Sequence, residues 1–220
     1  MSTNFERSDQ KKAPVRGWLL PYVVLLDFVD EATVAGLLDY ALSRHSDFAA
    51  TTVVPGTVDS STRVSSGLRE LGSYRKLLKA KILGLVPKLI SRLHVSPFEA
   101  SMLETEIVAH GDGAFYKQHI DTQTDSHEDM KQIRVLSGVY YFNAEPKAFT
   151  GGALRLHAIG GKNGENFVDI EPVRNSLLVF PSWAPHEVMP VSCPSKRFID
   201  SRFAINCWVY RKNAAAMEAK

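Results

Sequence analysis

His119 and Asp121 lie two residues apart in the segment Phe115-Tyr116-Lys117-Gln118-His119-Ile120-Asp121. In an extended segment both side chains leave the same face and can converge, while Ile120 packs on the other side. One imidazole nitrogen and one carboxylate oxygen make a natural pair of ligands for a borderline divalent metal. His186, in Ser182-Trp183-Ala184-Pro185-His186-Glu187-Val188, opens a second apolar run far along the chain and supplies the third donor if two strands converge. Two histidines and one carboxylate on one face of an ion suit ferrous iron, with the remaining positions open to reactants. A lone His-x-Asp tripeptide is weak evidence. The competing reading is a pair of hydrogen-bonded core histidines and a surface aspartate.

A second candidate group lies downstream. Arg202-Phe203-Ala204-Ile205-Asn206-Cys207-Trp208-Val209-Tyr210 alternates like a strand and opens with an arginine. An arginine at the mouth of a barrel strand can hold a carboxylate through two parallel hydrogen bonds.

The elements that must position these residues follow from the pattern. Val and Leu residues between Tyr22 and Phe28 predict a short buried strand. Asp30 is placed to cap a helix reaching about Arg44, with Val34, Leu37, Leu38 and Leu42 on one stripe. Residues 49–71, with the turn signal Pro55-Gly56, accommodate one or two outer strands ending near Arg63-Val64-Ser65-Ser66. Apolar residues from Leu77 to Ile90 recur at helical spacing over 73–93, where Pro87 marks a kink or a break between two helices. The lysines of that segment form a solvated face. From Met102 onward short strands alternate with Gly, Pro and Asn turns, at about 102–109, 115–120, 133–142, 153–158, 166–169, 176–180, 186–191 and 202–211. Helices first and strands afterwards give an α+β class.

Six ordered blocks resemble the Fe(II)- and 2-oxoglutarate-dependent dioxygenases, in their prolyl-4-hydroxylase-like branch, which includes the hypoxia-inducible-factor prolyl hydroxylases. They are Tyr116-x-x-His119-x-Asp121, Gly138-Val139-Tyr140-Tyr141-Phe142-Asn143, Thr150-Gly151-Gly152-Ala153-Leu154-Arg155-Leu156, Asp169-Ile170-Glu171-Pro172, Pro185-His186-Glu187-Val188-x-Pro190 and Arg202-x-Ala204-Ile205-x-x-Trp208. They span about Leu103 to Tyr210, roughly half the chain.

The resemblance implies a double-stranded β-helix, a jelly-roll core, with N-terminal supporting helices. It implies His119, Asp121 and His186 as catalytic Fe(II) ligands, and Fe(II), 2-oxoglutarate and O2 as the reaction's requirements, with ascorbate as a reductant the family admits. Arg202 is implied to clamp the distal carboxylate of 2-oxoglutarate with help from the Tyr141 hydroxyl. The interval from His186 is longer than the family pattern, so Arg197 stands as the alternative clamp. His110, where relatives place a tyrosine, reaches the co-substrate or is a surface histidine. Leu154 and Val188 pack around the co-substrate, Tyr116 walls the metal strand, and Gly151-Gly152 forms a bulge or tight strand entry. Arg155 and Trp183 face the substrate entrance or serve packing. The activity implied is hydroxylation of an unactivated carbon, on a prolyl residue or free proline. Alternatives are a free amino acid or natural-product intermediate, or a non-catalytic module that binds metal or 2-oxoglutarate.

With 220 residues, 45% hydrophobic and 23% charged, the chain suits one domain over 14–212, with helical support at 14–100 and a β core at 101–212. A polar leader at 1–13 and a frayed tail at 213–220 flank it. Net charge is +2, from 26 basic and 24 acidic residues, which gives no electrostatic case for nucleic acid or membrane. The partner expected is a peptide, protein or small-molecule substrate, with oligomeric state open. Two cysteines, Cys193 and Cys207, fit a reducing cytoplasm rather than a disulfide framework. The polar loop from Thr122 to Lys131 follows the metal strand as a lid or a solvated connection.

Overall fold

The computed structural model describes residues 17–53, 56–122, 131–160 and 166–213. The expectations for the leader 1–13, for most of the 122–131 loop and for the tail beyond 213 fall outside the described residues.

In chain order the elements are β1 (Val23–Leu25), α1 (Glu31–Ser43), β2 (Ala49–Ala50), β3 (Arg63–Val64), β4 (Ser66–Leu68), α2 (Tyr74–Arg92), β5 (Met102–His110), β6 (Phe115–His119) and β7 (Gln132–Tyr141). They continue as β8 (Thr150–Gly151), β9 (Leu154–His157), β10 (Phe167–Ile170), β11 (Ser176–Pro181), β12 (His186–Val188), β13 (Val191–Ser192) and β14 (Arg202–Lys212). A seven-stranded sheet runs β1-β11-β7-β14-β5-β4-β2, and a five-stranded sheet runs β10-β9-β12-β6-β3. The pairings are antiparallel. This is the double-stranded β-helix with supporting helices.

Strand alternation divides the large sheet into two chemistries. Its outer face carries Ile107, Ala109, Leu136, Tyr140, Leu177, Val179, Phe203, Ile205, Cys207 and Val209. These pack with Val34, Leu37 and Ala41 of α1 and Leu78, Ile82, Val86 and Leu89 of α2. The inner face turns Val139, Tyr141, Leu178, Phe180 and Ala204 toward Leu154, Leu156 and Ile170 of the small sheet. The helices thus cover one face of the large sheet, and the small sheet closes over the other.

Asp30 caps α1 as its position predicts: its carboxylate accepts from the Thr33 N–H at 2.8 Å and from the Thr33 hydroxyl at 2.9 Å. Asn175 ties this helix entry to the sheet. Its side chain accepts from the Val29 N–H at 3.1 Å and the Tyr140 hydroxyl at 3.1 Å, and donates to the Val29 carbonyl at 2.8 Å. Its φ of 58° is one that asparagine tolerates better than most residues.

Three expectations need correction. Of the segment 22–28 only Val23–Leu25 is strand, at the edge of the large sheet beside β11, and Val24 within it and Leu26 after it are exposed rather than buried. Pro87 lies inside one continuous helix and does not divide two. The apolar run 186–191 is split into β12 and β13, which pair in different sheets. Pro190, which has no N–H to give to a ladder, sits between them.

Leu37 is fully buried between α1 and the large sheet. Leu37→Ala is expected to cost about 2–5 kcal/mol, read as a lower urea midpoint with an unchanged m-value.

Candidate active site

β6 and β12 are neighbours in the small sheet, with His186 opposite His119. That register brings together a strand-end His-x-Asp and a histidine from much later in the chain. One ligand atom each from His119, Asp121 and His186 lies within 4.8 Å of the others. His119 Nε2 is 3.8 Å from Asp121 Oδ1, and His186 Nε2 is 3.6 Å from Asp121 Oδ2.

Both imidazoles are oriented by the same local device. His119 Nδ1 is 2.8 Å from the Lys117 carbonyl, and His186 Nδ1 is 2.8 Å from the Ala184 carbonyl. A carbonyl only accepts, so each ring donates through Nδ1–H and leaves the Nε2 lone pair facing its partners. Asp121 accepts from the Ser137 hydroxyl at 2.6 Å, and Ser137 is 2.9 Å from Ser182. Burial, followed by the neighbouring His186, pushes the His119 pKa down to about 3, which keeps the ring neutral. The Asp121 carboxyl is raised by burial, but the two histidines and the Ser137 hydrogen bond outweigh that and hold it below its ordinary value. Neutral imidazoles and an ionised carboxylate are the forms that bind a divalent cation.

Tyr116 stacks on His119 with ring centroids 3.6 Å apart, and the Arg63 guanidinium lies 4.7 Å from the Tyr116 ring centre. The ligand is therefore pressed from the side by a short stack. Pairing of Arg63 with Tyr116 in the β3–β6 ladder sets it up.

The triad opens into a cavity of about 190 Å³ between the two sheets. One end is built around Arg202, which is only 1% exposed. Its Nε donates to the Gly152 carbonyl at 2.7 Å, Nη1 lies 3.3 Å from His110 Nδ1, and Nη2 donates to the Tyr141 hydroxyl at 3.3 Å. All three partners are neutral groups, so among the described residues this buried cation has no carboxylate. His110 Nε2 is also buried without a hydrogen-bond partner. A buried cation without an anion and an orphaned polar nitrogen lining one cavity are what a carboxylate ligand would satisfy.

Gly152 makes room for this cluster. Its φ is 70°, and a Cβ there would stand 2.6 Å from Arg202 Cδ. The expected tight entry at Gly151-Gly152 is this close approach. Leu154 and Val188 line the cavity beside Arg202, and Tyr116 lines it near the triad.

Burial and contacts decide between the alternatives that the sequence left open at four residues. His110 is 3% exposed and cannot be a surface histidine. Arg197 has a side chain 70% exposed and is paired with Asp200 at 2.8 Å, outside the cavity. Arg155 binds Asp169 through two hydrogen bonds of 2.7 and 2.8 Å and covers the Phe167 ring, which ties β9 to β10. Trp183 is half exposed and does not line the cavity. Lys81 is exposed, as the solvated-face reading has it, and also donates to the Phe28 carbonyl at 2.8 Å.

Several lining residues escaped the sequence reading. Arg63, Glu106, Arg134 and Trp208 line the mouth, and Ser137 orients Asp121. Glu106 was legible in principle: Glu104, Glu106, Val108 and His110 fall on alternate positions of β5, opposite the outward Ile107 and Ala109.

The sequence model described as the 2OG-Fe(II) oxygenase superfamily matches residues 105–210. An uncharacterised PKHD-type hydroxylase of Synechocystis is 40% identical over 149 residues, covering 66% of this chain and 48% of that protein. The chain thus spans about half the length of this curated relative. Among solved structures, a prolyl hydroxylase from Trichoplax adhaerens, in complex with a hypoxia-inducible-factor peptide fragment, aligns with a TM-score of 0.67 at 21% identity, covering 91% of this chain and 87% of that one. A Pseudomonas putida prolyl-4-hydroxylase aligns with a TM-score of 0.65 at 22% identity, covering 88% and 94% respectively. At these identities the structures speak for the fold. Residues 105–210, just under half of the chain, thus resemble the 2OG-Fe(II) oxygenase superfamily, and the fold agrees with that likeness. In fold the chain is similar to the prolyl hydroxylases among these structures.

Gly152→Ala is expected to displace Arg202 and weaken 2-oxoglutarate binding about tenfold or more, measured by calorimetry on the metal-loaded protein. A second expectation concerns pH. Burial first, then Arg202 and Arg63, hold the His110 imidazole well below its ordinary value. The unfolded chain takes up a proton there near pH 6.5 and the folded chain does not. Stability of the metal-free protein should therefore be lost as pH falls below about 6.5. The fall in urea midpoint between about pH 7.5 and 5.5 should be smaller in His110→Gln than in the wild type.

Proposed function

We propose that the protein is an Fe(II)- and 2-oxoglutarate-dependent dioxygenase that hydroxylates an unactivated carbon, with proline, within a peptide or free, as the substrate type. The observation that carries this is the pairing, in one cavity, of a His-Asp-His donor set with a buried arginine that has no anion of its own. The family model and the prolyl-hydroxylase-like fold support it.

His119, Asp121 and His186 would hold Fe(II), and Arg202, His110 and Tyr141 the far carboxylate of 2-oxoglutarate, between walls made by Leu154 and Val188. When bound, the metal and co-substrate couple O2 to the conversion of 2-oxoglutarate into succinate and CO2 and put one oxygen atom into a substrate C–H bond. The chain's own part is positional. The two Nδ1–carbonyl hydrogen bonds fix the tautomers, and Ser137 fixes the Asp121 rotamer. Arg202 would anchor the far carboxylate of the co-substrate, and the closed sheets would keep water from the reacting atoms.

In our reading residues 14–212 form this one unit, and a cytoplasmic setting suits its two buried free cysteines. No helix among the described residues is long and apolar enough to cross a membrane. A non-catalytic sensor is the less favoured reading, because a binding module has no need of a metal triad and an anion clamp in one cavity.

Anaerobic titration with Fe(II) and 2-oxoglutarate tests the assignment. The wild type should develop the weak visible absorption of the metal-bound 2-oxo acid. His119→Ala should lose it, and Arg202→Ala should need about tenfold or more additional 2-oxoglutarate. No absorption in the wild type would sink the proposal.

A further inference from the structure

The mouth of the cavity, beyond the triad, holds charges that the oxygenase reading leaves unused. Glu104, Arg134 and Tyr210 form a closed set: Arg134 donates to Glu104 at 2.9 Å and to the Tyr210 hydroxyl at 2.5 Å, and Tyr210 donates to Glu104. Their charges cancel one another. Arg63 and Glu106 are different.

Arg63 is 9% exposed and lies in β3 of the small sheet. Its Nε donates to the Ser65 hydroxyl at 3.0 Å and its Nη1 to the Thr52 carbonyl at 3.3 Å. Both partners are neutral, and Nη2 makes no hydrogen bond among the described residues. Glu106 comes from β5 of the large sheet, with its side chain 17% exposed. Its carboxylate makes no hydrogen bond among the described residues. Its single ion-pair contact there is to Arg69 Nε at 3.9 Å, from a side chain that is 81% exposed. At that length and exposure the pair is worth little.

A buried guanidinium and a largely buried carboxylate therefore line one cavity from facing sheets, too far apart to pair directly. Burial disfavours the charge on each: the Glu106 carboxyl is raised and the Arg63 guanidinium lowered. Such charges are costly unless something else satisfies them. Gly67 lies against this carboxylate: a Cβ there would stand 3.0 Å from Glu106 Oε1. The one cavity of about 190 Å³ runs from the Arg202 end to this mouth, so the space left here for a substrate is small.

We propose that this mouth recognises a small free amino acid as a zwitterion, with Arg63 receiving its carboxylate and Glu106 its ammonium group. Within a peptide chain the same residue carries neither charge and would leave both side chains unsatisfied. Arg63 also stacks on Tyr116, which stacks on His119, so the carboxylate anchor is tied mechanically to the metal face. The inference rests on the oxygenase reading and narrows its substrate to the free amino acid class.

The test uses the protein loaded with Fe(II) and 2-oxoglutarate without oxygen. Binding of L-proline and the other standard free L-amino acids is measured by calorimetry, beside N-acetyl-L-proline, L-prolinamide and a prolyl peptide capped at both ends. Substrate-dependent succinate formation in air is the second readout. At least one free amino acid should bind, and removing either of its charges by acetylation or amidation should weaken binding about tenfold or more, the low end of what a hydrogen bond to a charged group is worth. In Glu106→Gln the penalty for acetylation should disappear while the penalty for amidation remains. Failure of every free amino acid to bind, or equal binding of the capped peptide, would overturn the proposal even with the 2-oxoglutarate absorption intact. Should that absorption itself be missing, the oxygenase reading falls, and the zwitterion proposal with it.

Discussion

A guanidinium buried among neutral groups is the constraint around which the closed end of this fold is arranged. Removing Arg202 from water disfavours its charge. The chain offsets part of that cost with a backbone carbonyl from Gly152, the ring nitrogen of His110 and the hydroxyl of Tyr141. Each comes from a different segment, and each depends on a different constraint. Gly152 must lack a side chain, His110 must stand opposite Arg202 in the β5–β14 ladder, and Tyr141 must point inward while Tyr140 points out. The arrangement supplies donors without an opposing anion, which prepares it for a carboxylate arriving from solution.

The metal-facing side answers to the opposite requirement. There the donors must present lone pairs rather than protons, and the small sheet does this with backbone carbonyls two residues before each histidine. The same few residues thus set geometry and protonation together. Ser137 crosses from the large sheet to hold Asp121, so the two sheets share the triad.

Much of this architecture was legible in sequence because it is periodic. The inner strands fell close to their expected limits. What failed was whatever depends on a neighbour distant in the chain. Val24 read as buried until β1 proved to be a three-residue edge strand with a partner on one side only. Pro87 left a kink or a break open, and the continuous helix is held by tertiary packing of Val86 and Leu89 that local rules cannot see. Arg63 lies in a strand of two residues with no pattern to announce it, and its place beside Tyr116 exists only through the β3–β6 pairing. Arg202 and Arg197 could not be told apart by spacing. Burial separates them at once.

β14 carries the site along its length. Arg202 stands at the closed end, Asn206 and Trp208 follow along the cavity, and the intervening Phe203, Ile205 and Cys207 face the helices. Because successive side chains alternate, a slip of one residue against β5 and β7 would exchange these two sets. The guanidinium would be thrust among Leu37 and Leu78, and a phenylalanine into the cavity. Folding and competence are therefore checked by the same comparison: a chain that has assembled its greasy layer has by that act aligned its reactive one, and a misthreaded chain can hide neither error behind the other.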